Sequence, residues 1–277
     1  MKKILSILLV LSMLTVFASC GLKKDGEATA ESTTNASAEA TVPYVPADSD
    51  NTGTTSATES STKKNDVSKP NESKVPETTE EIVALYNSAR KATKPAPKGK
   101  QSMALEGDIT GDGLIGTLGP IITKAANGGL SKNSKETDYI PAYESADVKA
   151  SDVKSATAKD DGNGNIVVTI YFNDQKDGAD GDVYNGGPVA RGVGSIGSMS
   201  ENVSSVGGTL KSGADTISVT YTDAYAKNVV INQKTGKITG GEWHYLTDVF
   251  IGEATAQLGI SLNLKNLNAK ISYKVVI

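Results

Sequence analysis

Cysteine, histidine and tryptophan each occur once in the 277 residues, and only 5% of the chain is aromatic. The single cysteine, Cys20, excludes any intrachain disulfide, so no cystine framework holds the chain together. The single histidine, His244, excludes a multi-histidine metal site and leaves one candidate for imidazole catalysis. Excess positive charge is also lacking. The 28 Lys and Arg stand against 32 Asp and Glu, a net charge of -4, where a nucleic-acid binder would carry a basic patch or stripe. What the chain has in quantity is glycine, 28 residues in all, with few large side chains for a core.

Lys2 and Lys3 open the chain, and residues 4–17 run almost unbroken in apolar and small side chains up to Ala18-Ser19-Cys20. That run of 14 residues is too short for a permanent membrane-spanning helix, and its basic, apolar, small-residue order is that of a secretory signal. The sole cysteine follows directly. The segment resembles the lipobox of bacterial lipoproteins, in which a small residue precedes the cysteine that becomes the lipidated first residue. Phe17 departs from the usual Leu or Val three places before the cysteine, but is bulky and apolar as they are. The resemblance implies a signal peptide over 1–19, acyl chains on Cys20 and a place on the extracytoplasmic face of a cell membrane. The alternative is a simple cleaved signal that leaves Cys20 a free thiol. Acyl chains suit anchoring because each buried methylene contributes about 0.8 kcal/mol. Removal of 1–19 takes away two of the 28 basic residues, leaving 26 against 32 acidic ones, a net of -6.

Residues 21–78 hold 18 Ser or Thr in 58 positions, no Ile, Phe, Trp or Met, and one leucine, Leu22. So little apolar surface does not offset the entropy of ordering. The expectation for 20–78 is the lipidated cysteine followed by a disordered Ser/Thr-rich tether, with an r.m.s. reach of about 40 Å.

From Thr78 the pattern changes. Thr78-Thr79-Glu80-Glu81 spells a capping box, and Ile82, Leu85, Tyr86 and Ala89 then recur at helical spacing, with Val83 widening the apolar face. Pro95 and Pro97 stop it, so a helix is expected over 79–94. A second, short helix is expected within 113–126, where Leu114, Ile115, Leu118, Ile121, Ile122 and Ala125 line up, with Pro120 as its latest start. Alternating runs at 153–159, 165–173, 216–222, 227–232, 237–247 and 269–277 read as strands, with 249–257 and 260–264 continuing the meander. Successive strands with short turns imply antiparallel pairing. Residues 174–213, with 10 glycines in 40 positions, read as a long functional or mobile loop. The expected fold is thus a single α+β domain over 79–277. Its N-terminal helix and second short helix would pack on a curved antiparallel sheet of about six or seven strands. This layout resembles the half-barrel sheets of bacterial lipid and lipoprotein carriers, where helices fill the concave side. Tyr86-Asn87 and the Lys234-Thr235-Gly236-Lys237-Ile238 turn are similar to uncharacterised surface lipoproteins of gut clostridia, over most of 78–277 and with no activity implied.

Several motifs invite a chemical reading. Asp108, Thr110 and Asp112, followed by Gly113, match the first half of a calcium loop or dockerin repeat, but position twelve is Gly119 where a bidentate acid is needed. Asp174, Asp177, Asp180 and Asp182 crowd the glycine-rich stretch in a spacing that fits no EF-hand, and read first as a solvated acidic loop. Gly111-Gly113-Gly116 and Gly192-Gly194-Gly197 match the dinucleotide fingerprint without its parallel βαβ unit. Ser151 to Lys154, Ser200 to Asn202 and Lys234 to Gly236 mimic the three motifs of penicillin-interacting serine enzymes, but without the structural context those motifs require. On a strand, Trp243 and Tyr245 share one face and Glu242 and His244 the other; core packing of Trp243 is favoured over a ligand groove.

No catalytic constellation is complete, so an enzyme is the least favoured reading, and no cofactor, metal site or nucleic-acid partner is expected. The first expectation is a lipid-anchored extracytoplasmic protein with a non-catalytic binding or carrier module, its groove between the sheet and the helix at 79–94 and a small apolar molecule one candidate ligand. The alternative is a structural or adhesive surface protein that works through protein partners, with calcium as an aid.

Overall fold

The computed structural model describes residues 75–132, 135–141, 146–179, 186–205, 207–258 and 260–277. All of them fall in one compact unit. The expected signal segment, Cys20, the expected tether as far as residue 74, Asp180 and Asp182 lie outside the described residues.

Helix α1 (Thr79–Ala92) starts as the sequence predicts. Thr78 Oγ1 accepts from Glu81 N at 3.2 Å, and Glu81 Oε2 accepts from Thr78 N at 3.1 Å, so both arms of the capping box are closed. The helix ends two residues before the expected boundary. Thr93 turns its hydroxyl back to the Ala89 carbonyl at 2.6 Å and accepts the Ile238 N–H at 2.8 Å, which ties the helix end to the sheet.

Among the described residues nine strands follow in one open sheet: β1 (Lys98–Leu105), β2 (Lys135–Asp138), β3 (Val153–Asp160), β4 (Asn165–Phe172), β5 (Gln175–Asp177), β6 (Thr209–Ser212), β7 (Ile217–Asn232), β8 (Ile238–Leu258) and β9 (Ile260–Val276). Every strand pairing is antiparallel. The order across the sheet is β2-β1-β9-β8-β7-β4-β3, with β5 beside the first half of β7 and β6 beside the far end of β8. Three further helices are interspersed: α2 (Leu114–Lys132), α3 (Pro188–Gly192) and α4 (Met199–Ser205). An antiparallel sheet accompanied by a few helices is as expected, in a layout that is α+β or mainly β, but the sheet is larger than the six or seven strands inferred.

The difference has identifiable causes. Strands β2, β5 and β6 are only three or four residues long, and the inward side of β1 opens on Gly99 and Gln101 before Met103 and Leu105, so these four show no apolar alternation in the sequence. Conversely, strands expected as separate pieces are continuous. In β7 the buried set runs Ile217, Val219, Tyr221, then Ala224 and Ala226, then Val229 and Ile231, with a one-residue slip at each break. Asp223 and Asn228 sit at those slips with φ of 51° and 52°, and the register with β8 shifts there. These are β-bulges, and Asp and Asn tolerate the left-handed region better than other non-glycine residues. Each bulge restores the same inward face, so a 16-residue strand keeps its apolar side on the core.

The second helix is also longer than expected. It begins at Leu114 and carries Pro120 inside it, past the first turn, where proline removes one backbone hydrogen bond of the helix. Thr123 Oγ1 accepts the Ile109 N–H at 2.8 Å, and the Asn127 amide bonds both backbone groups of Leu105, at 2.7 and 3.2 Å. The helix therefore serves backbone groups of the strand end that the sheet leaves unpaired.

The glycine-rich stretch is not an open loop in its described part. It holds β5, α3, α4 and β6, and Val189, Ala190, Arg191, Gly192, Val193, Ile196 and Met199 are buried. A Cβ on Gly192 would collide with the Phe172 ring, and one on Gly187 with the Gln175 side chain. At these two positions glycine permits the segment to lie directly on the sheet.

Candidate functional site

The space between α1 and the sheet is the first place to look for a ligand. Tyr86 and Trp243 meet there with no exposed surface. The Trp243 indole N–H donates to Tyr86 Oη at 2.9 Å, and the Tyr86 hydroxyl donates to the Gly192 carbonyl at 2.9 Å. Tyr139 packs edge-on to Trp243, centroids 5.3 Å apart, and its hydroxyl donates to the Val193 carbonyl at 3.0 Å. Trp243 is thus core, as favoured from sequence. Burial pushes the Tyr86 phenol up to about 12 in spite of the Arg90 charge beside it, and burial likewise raises Tyr139, Tyr221 and Tyr273.

Two polar residues of α1 share this interior. Arg90 is 1% exposed and donates to the carbonyls of Pro141 at 3.1 Å and Arg191 at 2.6 Å, and to Asn87 Oδ1 at 2.9 Å. Asn87 also clasps Val148, accepting its N–H at 3.1 Å and donating to its carbonyl at 2.9 Å. Nearby, Asp152 and Arg191 form a buried bidentate pair, Nε to Oδ2 at 2.8 Å and Nη2 to Oδ1. Burial alone would raise the Asp152 carboxyl. The Arg191 hydrogen bonds, the Lys149 N–H and the Arg191 charge together outweigh it and hold the carboxyl below the ordinary range. These groups hold segments together. Sequence analysis missed them, although Asn87 and Arg90 fall one helical turn after Val83 and Tyr86 on the apolar face. A polar residue at a core position was the available signal.

Between α1 and residues 147–150 a cleft of about 440 Å³ is lined by Glu80, Val83, Asn87, Lys91, Asp147 and Val148 among others. Lys91 and Asp147 close an ion pair across it at 2.6 Å. It is open, its lining mixes polar and apolar side chains, and these two charged groups already pair with each other.

The other concentration of polar and aromatic groups lies on the outer face of the sheet. The register brings Ser155, Tyr171, Tyr225, His244, Lys274 and Ser102 into one transverse row over six adjacent strands. Tyr225 packs edge-on to Tyr171 at 5.9 Å and lies over His244 at 5.0 Å. Its hydroxyl donates to Glu242 Oε1 at 2.6 Å, while Lys274 Nζ pairs with Glu242 Oε2 at 2.7 Å. Asp223, at the first bulge of β7, places Oδ2 3.8 Å from His244 Nε2. His244 Nδ1 is buried without a hydrogen-bond partner among the described residues. Burial and then the Glu242 contact raise the Tyr225 phenol. For Glu242, burial pulls upward but Lys274 and Tyr225 prevail and lower it. A phenol held protonated and a carboxylate already engaged by two donors make a surface for hydrogen bonding, not an activated nucleophile. Sequence analysis placed Glu242 and His244 on one face and found their strand. It did not find Tyr171, Tyr225, Asp223 or Lys274, because only the register unites them.

Several of the remaining candidates have structural partners. Thr110 pairs with Asn268 through both backbone groups, and Asp112 Oδ2 accepts from Asn266 at 2.8 Å. Gln175 donates to both oxygens of Asp177 at 3.1 and 2.9 Å. Among the described residues no group of three or more His, Cys, Asp or Glu is placed to hold a metal ion, and no helix is long and apolar enough to cross a membrane. Of the three serine-enzyme motifs, Asp152 is committed to Arg191, Asn202 donates to the Ile196 carbonyl at 2.9 Å, and Lys234-Thr235-Gly236 forms the β7–β8 turn, with Gly236 at φ 68°. No protein-family model matches the chain, and neither does any curated protein or solved structure.

Proposed function

We propose that the chain is a lipid-anchored extracytoplasmic protein whose folded module is non-catalytic and binds its partner on the outside. One observation carries the choice of the outside over an internal carrier groove: the interface of α1 with the sheet is filled by Tyr86, Trp243 and Tyr139, each hydrogen-bonded and buried. A ligand pocket needs about 300 Å³ or more, and opening one here would strip three aromatic side chains of their partners. The bulges of β7 support the curved sheet expected from sequence, since a bulge bends its strand and increases its twist. In this reading Cys20 carries the acyl chains, residues 21–78 span from membrane to module, and the outer sheet face is turned to the surroundings.

Two measurements test it. Labelled palmitate should enter the wild-type chain and not a Cys20→Ala variant; equal labelling would end the anchoring scheme. Organic-solvent extraction of the purified protein, followed by mass spectrometry, should yield no stoichiometric non-covalent lipid. Its recovery would restore the internal carrier and overturn binding on the outside.

A further inference from the structure

The outer row has a chemistry that selects a ligand class. Tyr171 is one of four large apolar or aromatic side chains exposed among the described residues, at 36%. Around it and Tyr225 stand two carboxylates, Asp223 and Glu242, and two ammonium groups, Lys274 and Lys227, the last directly opposite Glu242 in the register. The patch is therefore charge-balanced and offers donors and acceptors side by side. The bulge at Asp223, φ 51°, turns a 62% exposed carboxylate toward His244 beside the rings. An anionic polymer would meet two carboxylates here, and a cationic one two lysines. A protein hot spot needs a larger desolvated apolar centre. The complement of aromatic faces ringed by balanced hydrogen-bonding groups is a neutral molecule with a C–H face and a hydroxyl rim. With strands about 4.8 Å apart, the row from Ser155 to Ser102 crosses roughly 24 Å, long enough for several linked sugar rings.

We infer that this face binds a neutral glycan chain laid across the strands, with a sugar ring on Tyr171 and Tyr225 and its hydroxyls bonded to Asp223, Glu242 and Lys274. This rests on the reading that the module binds on its outside, and names the ligand class for it.

The test uses the full-length protein in detergent, with maltohexaose, cellohexaose and chitohexaose as probes and polygalacturonate as the anionic control, read by calorimetry. At least one neutral hexamer should bind with a Kd below about 1 mM. Tyr171→Ala should weaken it at least about tenfold and Tyr171→Phe should not, because the ring face is the contact. Asp223→Asn, which keeps a residue suited to the left-handed backbone, should weaken it several-fold through loss of charge-assisted hydrogen bonds. Phe250→Ala, on the same face but about 20 Å along β8, should leave it unchanged. Binding of none of the hexamers, tighter binding of polygalacturonate, or a Tyr171→Ala variant that binds like the wild type would overturn the inference. So would a photo-crosslinker at position 171 that captures a defined protein partner while every hexamer fails, which assigns the patch to protein. The sugar measurement is independent of acylation. Its failure leaves the palmitate result standing, and failure of palmitate labelling leaves the sugar result standing.

Discussion

Replacing Asp152 by Asn should cost this fold several kcal/mol, about 3–5, because it breaks a buried ion pair. Asp152 is 4% exposed, accepts Arg191 Nε at 2.8 Å and Nη2 beside it, and also takes the Lys149 N–H at 2.8 Å. Asparagine keeps the shape and the Lys149 contact but leaves the Arg191 cation, 8% exposed, opposite an uncharged amide. Removing one partner of a buried ion pair typically costs about 3–5 kcal/mol. For a domain of this size each kcal/mol lowers Tm by about 2–4 °C, so the expected drop is about 6–20 °C. Calorimetry of the single variant, Arg191→Met and the double variant gives the test. The double should lie well above the sum of the singles, since two matched apolar or neutral groups leave no orphaned charge. The pH dependence follows from the same contact. The folded-state carboxyl is held below its unfolded value, so the pair's stabilisation is complete above the ordinary aspartate range and is lost as pH falls through the folded-state value. Wild-type Tm should therefore fall more steeply in acid than that of Asp152→Asn. A single variant within about 2 °C of wild type, or additive losses in the double, would refute the reasoning.

Gly192→Ala pushes a methyl group into the buried Phe172 ring and should lower stability by about 1–3 kcal/mol, seen as a lower urea midpoint. Gly128→Ala, in α2 with open space at its Cβ, should instead raise it by about 0.5–1 kcal/mol. Thr78→Ala opens the capping box and should cost about 1 kcal/mol, most of it recovered by Thr78→Asp in the same denaturation assay. In native-state hydrogen exchange, the amides of Val193 and Gly194, bonded to the Val189 carbonyl, should exchange together with those of α1, because Tyr86 and Arg90 fasten both.

What could be read from the chain depended on how local its cause was. The start of α1 was legible because its capping box lies within four residues, and the β3–β4 hairpin because Asp160 to Gly164 is a turn cluster between alternating runs. The lengths of β7, β8 and β9 were not. Asp223, Asn228 and Asn266 look like turn residues in the sequence, yet each sits inside a strand at positive φ. A polar residue suited to the left-handed region marks a turn when the chain reverses and a bulge when it continues, and only the neighbouring strand decides which. The same limit applied to the candidate surface. Glu242 and His244 were placed on one face by period two, while Tyr171 lies 73 positions before His244 and joins it only through pairing.

The glycine-rich segment shows the opposite case, in which local sequence carries almost no structural instruction. Around α3 its backbone is specified from outside. Arg90 and Tyr86 of α1 hold the carbonyls of Arg191 and Gly192; Tyr139, after β2, holds that of Val193; and Tyr221 of β7 accepts the Ile196 N–H at 3.2 Å. Asp152 takes the Arg191 side chain from a third direction. A helix as short as α3 is not stable alone. It forms because polar tips from elements far apart in the chain end on successive residues of it and satisfy its carbonyls. That arrangement explains why aromatic residues, scarce as they are, include tyrosines with buried hydroxyls. A phenol fills the interior as a phenylalanine would and also fixes one backbone group of a segment that has few side chains of its own to do so. It also explains why the interior beneath α1 is closed. The groups that would line a groove there are the ones that hold the glycine-rich segment in place.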